Sequence, residues 1–597
     1  MTHGCRFEVL LLTVVLLVAP SRASAAGIAG TKHNLSVTGP GPVKSTTEEQ
    51  ICVFCHTPHN ARRDVPYLWN REDSAANYAT YDSSTMLAAP GQPSGASKLC
   101  LSCHDGTIAL GALWNRSGEV PFEGGVRFIP AGPSRLGTDL ADDHPVSVSY
   151  VAGSQGLHSS ESNSSGRKIF AIAEPDFQAA KLHPPSTLPE EIDIDPSGRI
   201  QCTSCHDPHD DSLGDFLVLS TEFSELCGAC HDPEAWDMSS HSLSSATWNG
   251  ASPDPWPRTD FDTVAENACA SCHQPHAAPA PERLLSHILE EETCLVCHNG
   301  NVAGSNIESE LTKAVTHPVR DYLGVHDPVE SSPSSIQPHV ECMDCHQPHQ
   351  VNDSTAVAPD VPGSMGRVSG VSGSGLPVTE VSFAYEICFK CHADHNVLTF
   401  TDITRQISEI NTRMEFDLSN PSYHPVEGIG ANPNMRGLLP PYTVNSVIYC
   451  TDCHSNDEGP GNNGQGPGGP HGSRYPYLLE RNYETNDNTS ESTAAYALCY
   501  KCHDRDALRD KDLTGFEEHK KHIEGEDAPC SACHDPHGVS STQGTAANNS
   551  HLINFDLNIV QPSSSTGLLF FEDLGISTGQ CYLTCHGQDH NPEEYGQ

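Results

Sequence analysis

The cysteines restrict this chain more than any other feature. Of its 25 Cys, Cys5 stands alone near the N-terminus; the other 24 form twelve close pairs, each second Cys followed at once by His. In chain order they are Cys52/Cys55/His56, Cys100/Cys103/His104, Cys202/Cys205/His206, Cys227/Cys230/His231, Cys269/Cys272/His273 and Cys294/Cys297/His298. The second six are Cys342/Cys345/His346, Cys388/Cys391/His392, Cys450/Cys453/His454, Cys499/Cys502/His503, Cys530/Cys533/His534 and Cys581/Cys585/His586. Eleven read Cys-x-x-Cys-His; the twelfth, CYLTCH, has one more residue between its cysteines.

The adjacent His selects among the chemistries open to paired cysteines. Structural zinc draws four ligands from two half-sites and has no use for that His. Disulfides suit an exported chain but do not call for it, and redox Cys-x-x-Cys motifs stand singly in a domain. Covalent haem attachment uses all three residues: two thioethers to the vinyl groups, and an imidazole on the iron from the same short turn. The pattern implies twelve attached c haems, with the twelve motif His as proximal iron ligands.

The twelve sites alternate in kind, giving six pairs. First members continue into a second His three residues on, as in CVFCHTPH and CTSCHDPH, which supplies His59, His209, His276, His349 and His537. In the fifth pair a Gly-rich insertion moves the equivalent to His471. Second members follow helix-like approaches such as EEETCLVCH; first members follow more extended segments. A further His lies upstream in each module: His144, His317 and His424 within His-Pro-Val, and His33, His241 and His522 in comparable places. These twelve match the number of sixth ligands that bis-His coordination requires. Outside the motifs and leader there are 21 His, so His183, His519, His551 and His590 compete as alternates. Methionine ligation is disfavoured by a chain with only 7 Met.

The first residues read as an export signal: Arg6, an apolar run from Val9 to Ala19, then the small-residue site Ala23-Ser24-Ala25. The run is too short for a membrane anchor, so the expectation is an exported, soluble protein, periplasmic or extracellular. Net charge of −45 repels phosphates and argues against nucleic acid. Hydrophobic residues are only 36% of the chain, and Gly and Pro number 48 and 45. Such composition offsets conformational entropy poorly, so something other than side chains must fill the interior.

The CxxCHxPH sites, the His-Pro-Val segments and the tail HLINFD…CYLTCHGQDHNP resemble the paired-CxxCH (doubled-motif) multihaem cytochromes of metal-reducing bacteria such as Geobacter. The resemblance covers nearly the whole chain after the leader. It implies bis-His haems in an edge-to-edge chain and electron transfer in the periplasm or outside the cell toward metals. Redox partners would be other cytochromes of the periplasm or outer membrane, and possible terminal acceptors include metal oxides such as Fe(III).

The expected fold is mostly loops with short α-helices wrapped around a haem chain, and little β structure. The modules run 26–125, 126–235, 236–305, 306–415, 416–510 and 511–597 after a leader at 1–25. Gly153–Gly166, Val351–Glu380 and Ser455–Gly469 read as linkers. With His on both faces an iron has no open position, so outer-sphere electron transfer follows rather than catalysis. Two alternatives stand beside it: a multihaem reductase with one open haem, for which CYLTCH is the place to look, and a subunit of a cytochrome filament.

Overall fold

The computed structural model describes residues 27–83, 85–86, 90–150, 182–324, 326, 339–394 and 402–596. The expected leader and the stretch Gly153–Gly166 lie outside them. Irregular backbone dominates. The longest helices among the described residues, Gly95–His104 and Ala384–His392, have 10 and 9 residues, and each ends on a motif His. No helix among the described residues is long and apolar enough to cross a membrane.

The alternation in the sequence reappears as two local structures. Four second members close α-helical turns, at Gly95–His104, Glu225–Gly228, Glu290–Leu295 and Ala384–His392, while the tenth site, Cys499–Lys501, is a 3-10 turn. Three first members sit on single 3-10 turns entered from extended backbone, at Cys202–Ser204, Cys342–Asp344 and Cys450–Asp452, while the eleventh site, Cys530–Cys533, is an α-helical turn. The residue two after the first Cys caps these turns. The Glu341 and Tyr449 N–H groups donate to the Asp344 and Asp452 carboxylates at 2.9 and 2.8 Å, and Gln201 N–H to Ser204 Oγ at 3.0 Å. Such caps satisfy a terminal donor that a lone turn otherwise leaves unpaired.

Sheet structure among the described residues is sparse, as expected: four two-stranded pairs of two residues per strand, and one three-stranded antiparallel sheet. That sheet, Phe570–Gly575, Thr578–Cys585 and Gln588–Tyr595, carries the twelfth Cys pair.

The chain divides into two compact units. One comprises Met1–Asn77, Pro93–Thr138 and Glu190–Ser220; the other comprises Tyr78–Gln92, Asp139–Pro189 and Thr221–Gln597. The first holds sites one to three and a cluster of Val53, Phe54, Leu110, Leu113, Val120 and Phe122. The second holds sites four to twelve and several smaller clusters, including Tyr385–Phe389–Phe416–Val426 and Phe555–Val560–Phe571–Leu583. Two expected linkers are packed structure. Val351–Glu380 includes the hairpin of Gly370–Val371 with Pro377–Val378 and a fully buried Val368. In Ser455–Gly469, Asn456 is fully buried and Asp457 pairs with Lys313 at 2.9 Å. Polar side chains hold this second stretch, which composition alone reads as flexible.

Candidate haem-attachment sites

Each Cys-x-x-Cys-His forms one helical turn, and this brings its three functional side chains together. The motif His N–H donates to the carbonyl of the first Cys at 2.7 Å for His56, 2.9 Å for His231, His273, His454 and His503, and 3.0 Å for His206, His298, His346 and His534. His104 and His392 end the two longer helices.

The third site shows how such a turn is anchored. Sequence reading assigns Cys205 only a thioether; the structure differs by giving its main chain a second role. The Cys205 N–H donates to the Cys202 carbonyl at 3.2 Å, and the Cys205 carbonyl accepts the Val218 N–H at 3.0 Å. Its thiol is half-buried, whereas Cys52 of the first site is exposed. The first, fifth, ninth and eleventh sites repeat the bond, with Cys55, Cys272, Cys453 and Cys533 accepting from Asn70, Ser286, Glu480 and Asn554. The second Cys of a first member therefore ties its motif to the chain 13–27 residues downstream.

Nδ1 of many of the motif rings is also tied down. It donates to the carbonyl of Tyr67 from His56 (2.6 Å), Ser134 from His104 (2.7 Å), Asp215 from His206 (2.8 Å) and Arg283 from His273 (2.9 Å). Ser364 accepts from His346 (2.7 Å), Tyr477 from His454 (2.8 Å) and His551 from His534 (2.9 Å). Fixing Nδ1–H sets the tautomer and leaves Nε2 as the free donor atom a metal needs.

In five first-member sites the acceptor carbonyl belongs to a turn with two successive left-handed residues: Tyr67-Leu68, Asp215-Phe216, Arg283-Leu284, Tyr477-Leu478 and His551-Leu552. Such backbone is strained for non-glycine residues and persists where surrounding bonds over-determine it. Here the next residue, Trp69, Leu217, Leu285, Leu479 or Ile553, bridges back to the motif His. The repeated segments PYLWN, DFLVL, RLLS, PYLLE and HLINF are a sequence signal for this element that motif reading passes over.

Among the described residues, eleven pairs of imidazoles face one another with ring centroids 6.1–6.4 Å apart. They are His33–His104, His56–His209, His144–His231, His241–His298, His273–His349 and His317–His392. The rest are His346–His471, His424–His503, His454–His537, His519–His534 and His522–His590. An iron bonded to Nε2 on each side at about 2 Å needs centroids roughly 6 Å apart, so the residues fit a haem in every gap. Burial pushes His231, His298, His454, His471, His503 and His534 down to about 4, and His349 and His519 down to about 3, keeping the rings neutral as ligation requires.

The pairing follows a register. The Pro-His histidine of a first member faces the motif His two sites earlier: His209 faces His56, His349 faces His273, displaced His471 faces His346, and His537 faces His454. Upstream histidines face second members. In these the Pro of the Pro-His step accepts Nδ1–H of the upstream His: Pro208 from His33 (2.9 Å), Pro348 from His241 and Pro470 from His317 (2.8 Å each), and Pro536 from His424. One dipeptide therefore aims the imidazoles of two neighbouring sites.

The remaining candidates are placed as follows. His276 meets Asp143 through Nδ1 at 3.0 Å. His59 is exposed, and its ring meets no other imidazole among the described residues. His183 lies beside the fourth site through its backbone, N–H to the Cys230 carbonyl at 2.9 Å, while His144 faces His231. His519, expected as an alternate, is the residue opposite His534; His551 serves by its carbonyl. His522 faces His590 and not a motif His. His586 departs from the sequence expectation, its Nε2 lying 2.8 Å from Asp487 Oδ1.

Thiols of consecutive sites adjoin in chain order. In the first unit Cys55 feels Cys103 and Cys100 contacts Cys202. In the second, direct contacts of Cys227 with Cys269, Cys294 with Cys342, Cys388 with Cys450 and Cys499 with Cys530 alternate with electrostatic neighbours. Those are Cys272 and Cys297, Cys345 and Cys391, Cys453 and Cys502, and Cys533 and Cys581.

Between sites six and seven lies a buried polar cluster that motif reading does not find. His326 Nδ1 meets Glu341 at 3.0 Å, Lys390 Nζ meets Asp344 at 2.8 Å, and Glu290 accepts the His326 N–H at 2.8 Å. Burial, reinforced by Glu341, pushes Glu290 up to about 7. The folded chain then holds a proton that the unfolded chain releases near pH 4.5, so stability falls between pH 4.5 and 7. Glu290→Gln is expected to leave the melting temperature unchanged at pH 4.5 and raise it at pH 8, for a gain of up to about 3 kcal/mol. Equal melting of both proteins at pH 8 would contradict the assignment.

Comparison with known proteins places these features. The family described as "Doubled CXXCH motif" matches residues 196–235, 262–303 and 441–508. Multiheme cytochrome MtrA of Shewanella baltica (strain OS185) is 27% identical over 210 residues, 33% of this chain and 44% of that protein. The match thus spans less than half of the relative's length. Taken with the facing imidazoles, these likenesses support a multihaem c-type cytochrome with doubled CxxCH motifs.

Proposed function

We propose that the chain carries twelve c haems, each iron held between two histidines, and conducts electrons along them in sequence order. The observation that carries this reading is the set of imidazole pairs at 6.1–6.4 Å, ten of which include a motif His. Haem supplies a one-electron couple at each site. At ten sites the chain's own residues would supply both iron ligands; Nδ1 bonds fix seven of the motif rings, and within each unit adjoining thiols bring successive sites together. At the ten sites with a facing pair, donors on both faces leave no coordination position for a substrate, which favours a carrier over a reductase.

The apolar run and small-residue site at the start of the chain support export and work in the periplasm or at the outer membrane. Partners in this reading are other redox proteins and metal acceptors such as Fe(III). The charge of −45 suits cationic partner surfaces and mineral-bound metal.

Mass spectrometry of the purified holoprotein, with its visible and EPR spectra, tests the proposal. Twelve covalent haems, all low-spin, are expected. The ring angles predict two low-spin classes. The pairs of sites one, five, seven, nine and eleven lie 16–47° from parallel, whereas those of even-numbered sites two to ten are crossed at 56–83°. A substantial high-spin ferric signal in the native protein would instead indicate an open haem and a reductase.

A further inference from the structure

We propose that the C-terminal haem is ligated by His522 and His590, and that His586, the residue directly after its second Cys, does not bind iron. This rests on the twelve-haem reading above. The difference originates in secondary structure. At the eleven other sites the two cysteines and the His share a helical turn, which returns the imidazole toward the thiols. Here Cys581 and Cys585 lie on a strand, Thr578–Cys585, paired with Gln588–Tyr595.

A strand alternates its faces every residue, so thiols three apart point to opposite sides and thiols four apart to the same side. The extra residue in CYLTCH is what a strand needs to present both thiols together. Cys581 and Cys585 indeed pack with Leu583 on one apolar cluster. Leu583 is opposite His590 in the register, and directly opposed residues share a face. Cys581, Cys585 and His590 therefore project from one side of the sheet. On that side His590 meets His522 at 6.4 Å, the same separation as the His424–His503 pair. His522 is aimed by its Nδ1 donating to the Glu518 carbonyl at 2.8 Å.

His586 has gone elsewhere for a local reason. Cys585 pairs with Gln588, and His586 and Gly587 form the two-residue turn between them, with φ of 48° and 78°. Paired left-handed residues make the tight hairpin turn that matches strand twist. At that tip the ring meets Asp487 at 2.8 Å, with Glu526 at 3.9 Å. A haem-binding reading centred on the motif would choose His586; the register chooses His590, five residues after the second Cys.

Holoprotein carrying His590→Ala, His522→Ala or His586→Ala, each with haem count by mass and spin state by EPR, tests the assignment. The first two should retain twelve haems and each convert one haem in twelve to high spin, reversed by added imidazole. His586→Ala should show no high-spin signal. High spin in His586→Ala together with fully low-spin His590→Ala overturns the inference. If His586→Ala loses a haem, the residue serves attachment and His590→Ala decides: high spin supports the assignment and low spin refutes it. Eleven haems in the wild type would instead refute the twelve-haem reading, a failure separable from this one.

Discussion

The chain made without attached haem is expected to be unfolded. Scattering should give a radius of gyration approaching the roughly 90 Å of an unfolded chain of this length, and heating should show no cooperative transition. The reason is the distribution of apolar side chains. Among the described residues they form separate clusters of a few residues each, such as Val368–Val381–Ile387 and Tyr81–Ala278–Leu284, rather than one continuous core. Ordering a residue's backbone costs about 1–2 kcal/mol, which clusters of this size cannot offset over so much irregular chain. The imidazole pairs leave gaps of a porphyrin's thickness between them, and a covalently held macrocycle there removes the apolar surface of both ring and protein from water. A haem-free chain with a sharp melting transition would show that the side chains suffice.

Removing one haem from the middle of the array should interrupt conduction far more than its one-twelfth share of redox capacity. In Cys342→Ala/Cys345→Ala the seventh haem is lost. Its thiols stand between those of the sixth and eighth sites: Cys342 against Cys294, and Cys345 beside Cys388 and Cys391. Tunnelling falls exponentially with distance, so a missing relay slows transfer by orders of magnitude while leaving most haems in place. The measurement is mass, to establish eleven haems, followed by stopped-flow reduction. The full protein should fill its haems in one fast process. The variant should split into fast and slow populations when the electron donor engages one end. Unchanged single-process filling would mean that electrons do not pass through the seventh site. Mass also guards against misfolding, because a variant retaining eleven low-spin haems has kept its remaining axial pairs.

Attachment chemistry was legible because it is local. Two thiols and an imidazole within a single turn are fixed by five consecutive residues, so CVFCH or CLVCH declares its cofactor without reference to the rest of the chain. The alternation of site types was legible for the same reason: EEETCLVCH propagates a helix into its motif, and GRIQCTSCH enters from extended backbone. The scarcity of regular structure followed from composition. The anchoring of a motif through its second Cys, as at Cys205 with Val218, was not legible, because a backbone bond leaves no mark on residue type.

Axial partners are set at long range, and there the sequence could only count. His471 is separated from its neighbouring motif by a Gly-rich insertion, yet it faces His346 more than a hundred residues away. The sequence offered no chemical difference between His519, His522, His551 and His590. Tertiary packing alone sends them, in that order, to the eleventh site, to His590, to a carbonyl role and to His522.

The same holds for the cysteine pattern this chain is built on. Eleven motifs carry their own geometry because a helical turn is self-contained. At CYLTCH the two thiols ride on a strand, whose conformation depends on hydrogen bonds to two neighbouring strands. The sequence by itself determined that the cysteines are paired for haem and, at the eleven Cys-x-x-Cys-His sites, that the adjacent histidine joins them. The tertiary structure decided which imidazoles meet across each gap, because a hairpin register and long-range packing, unlike a single turn, are not encoded within five residues.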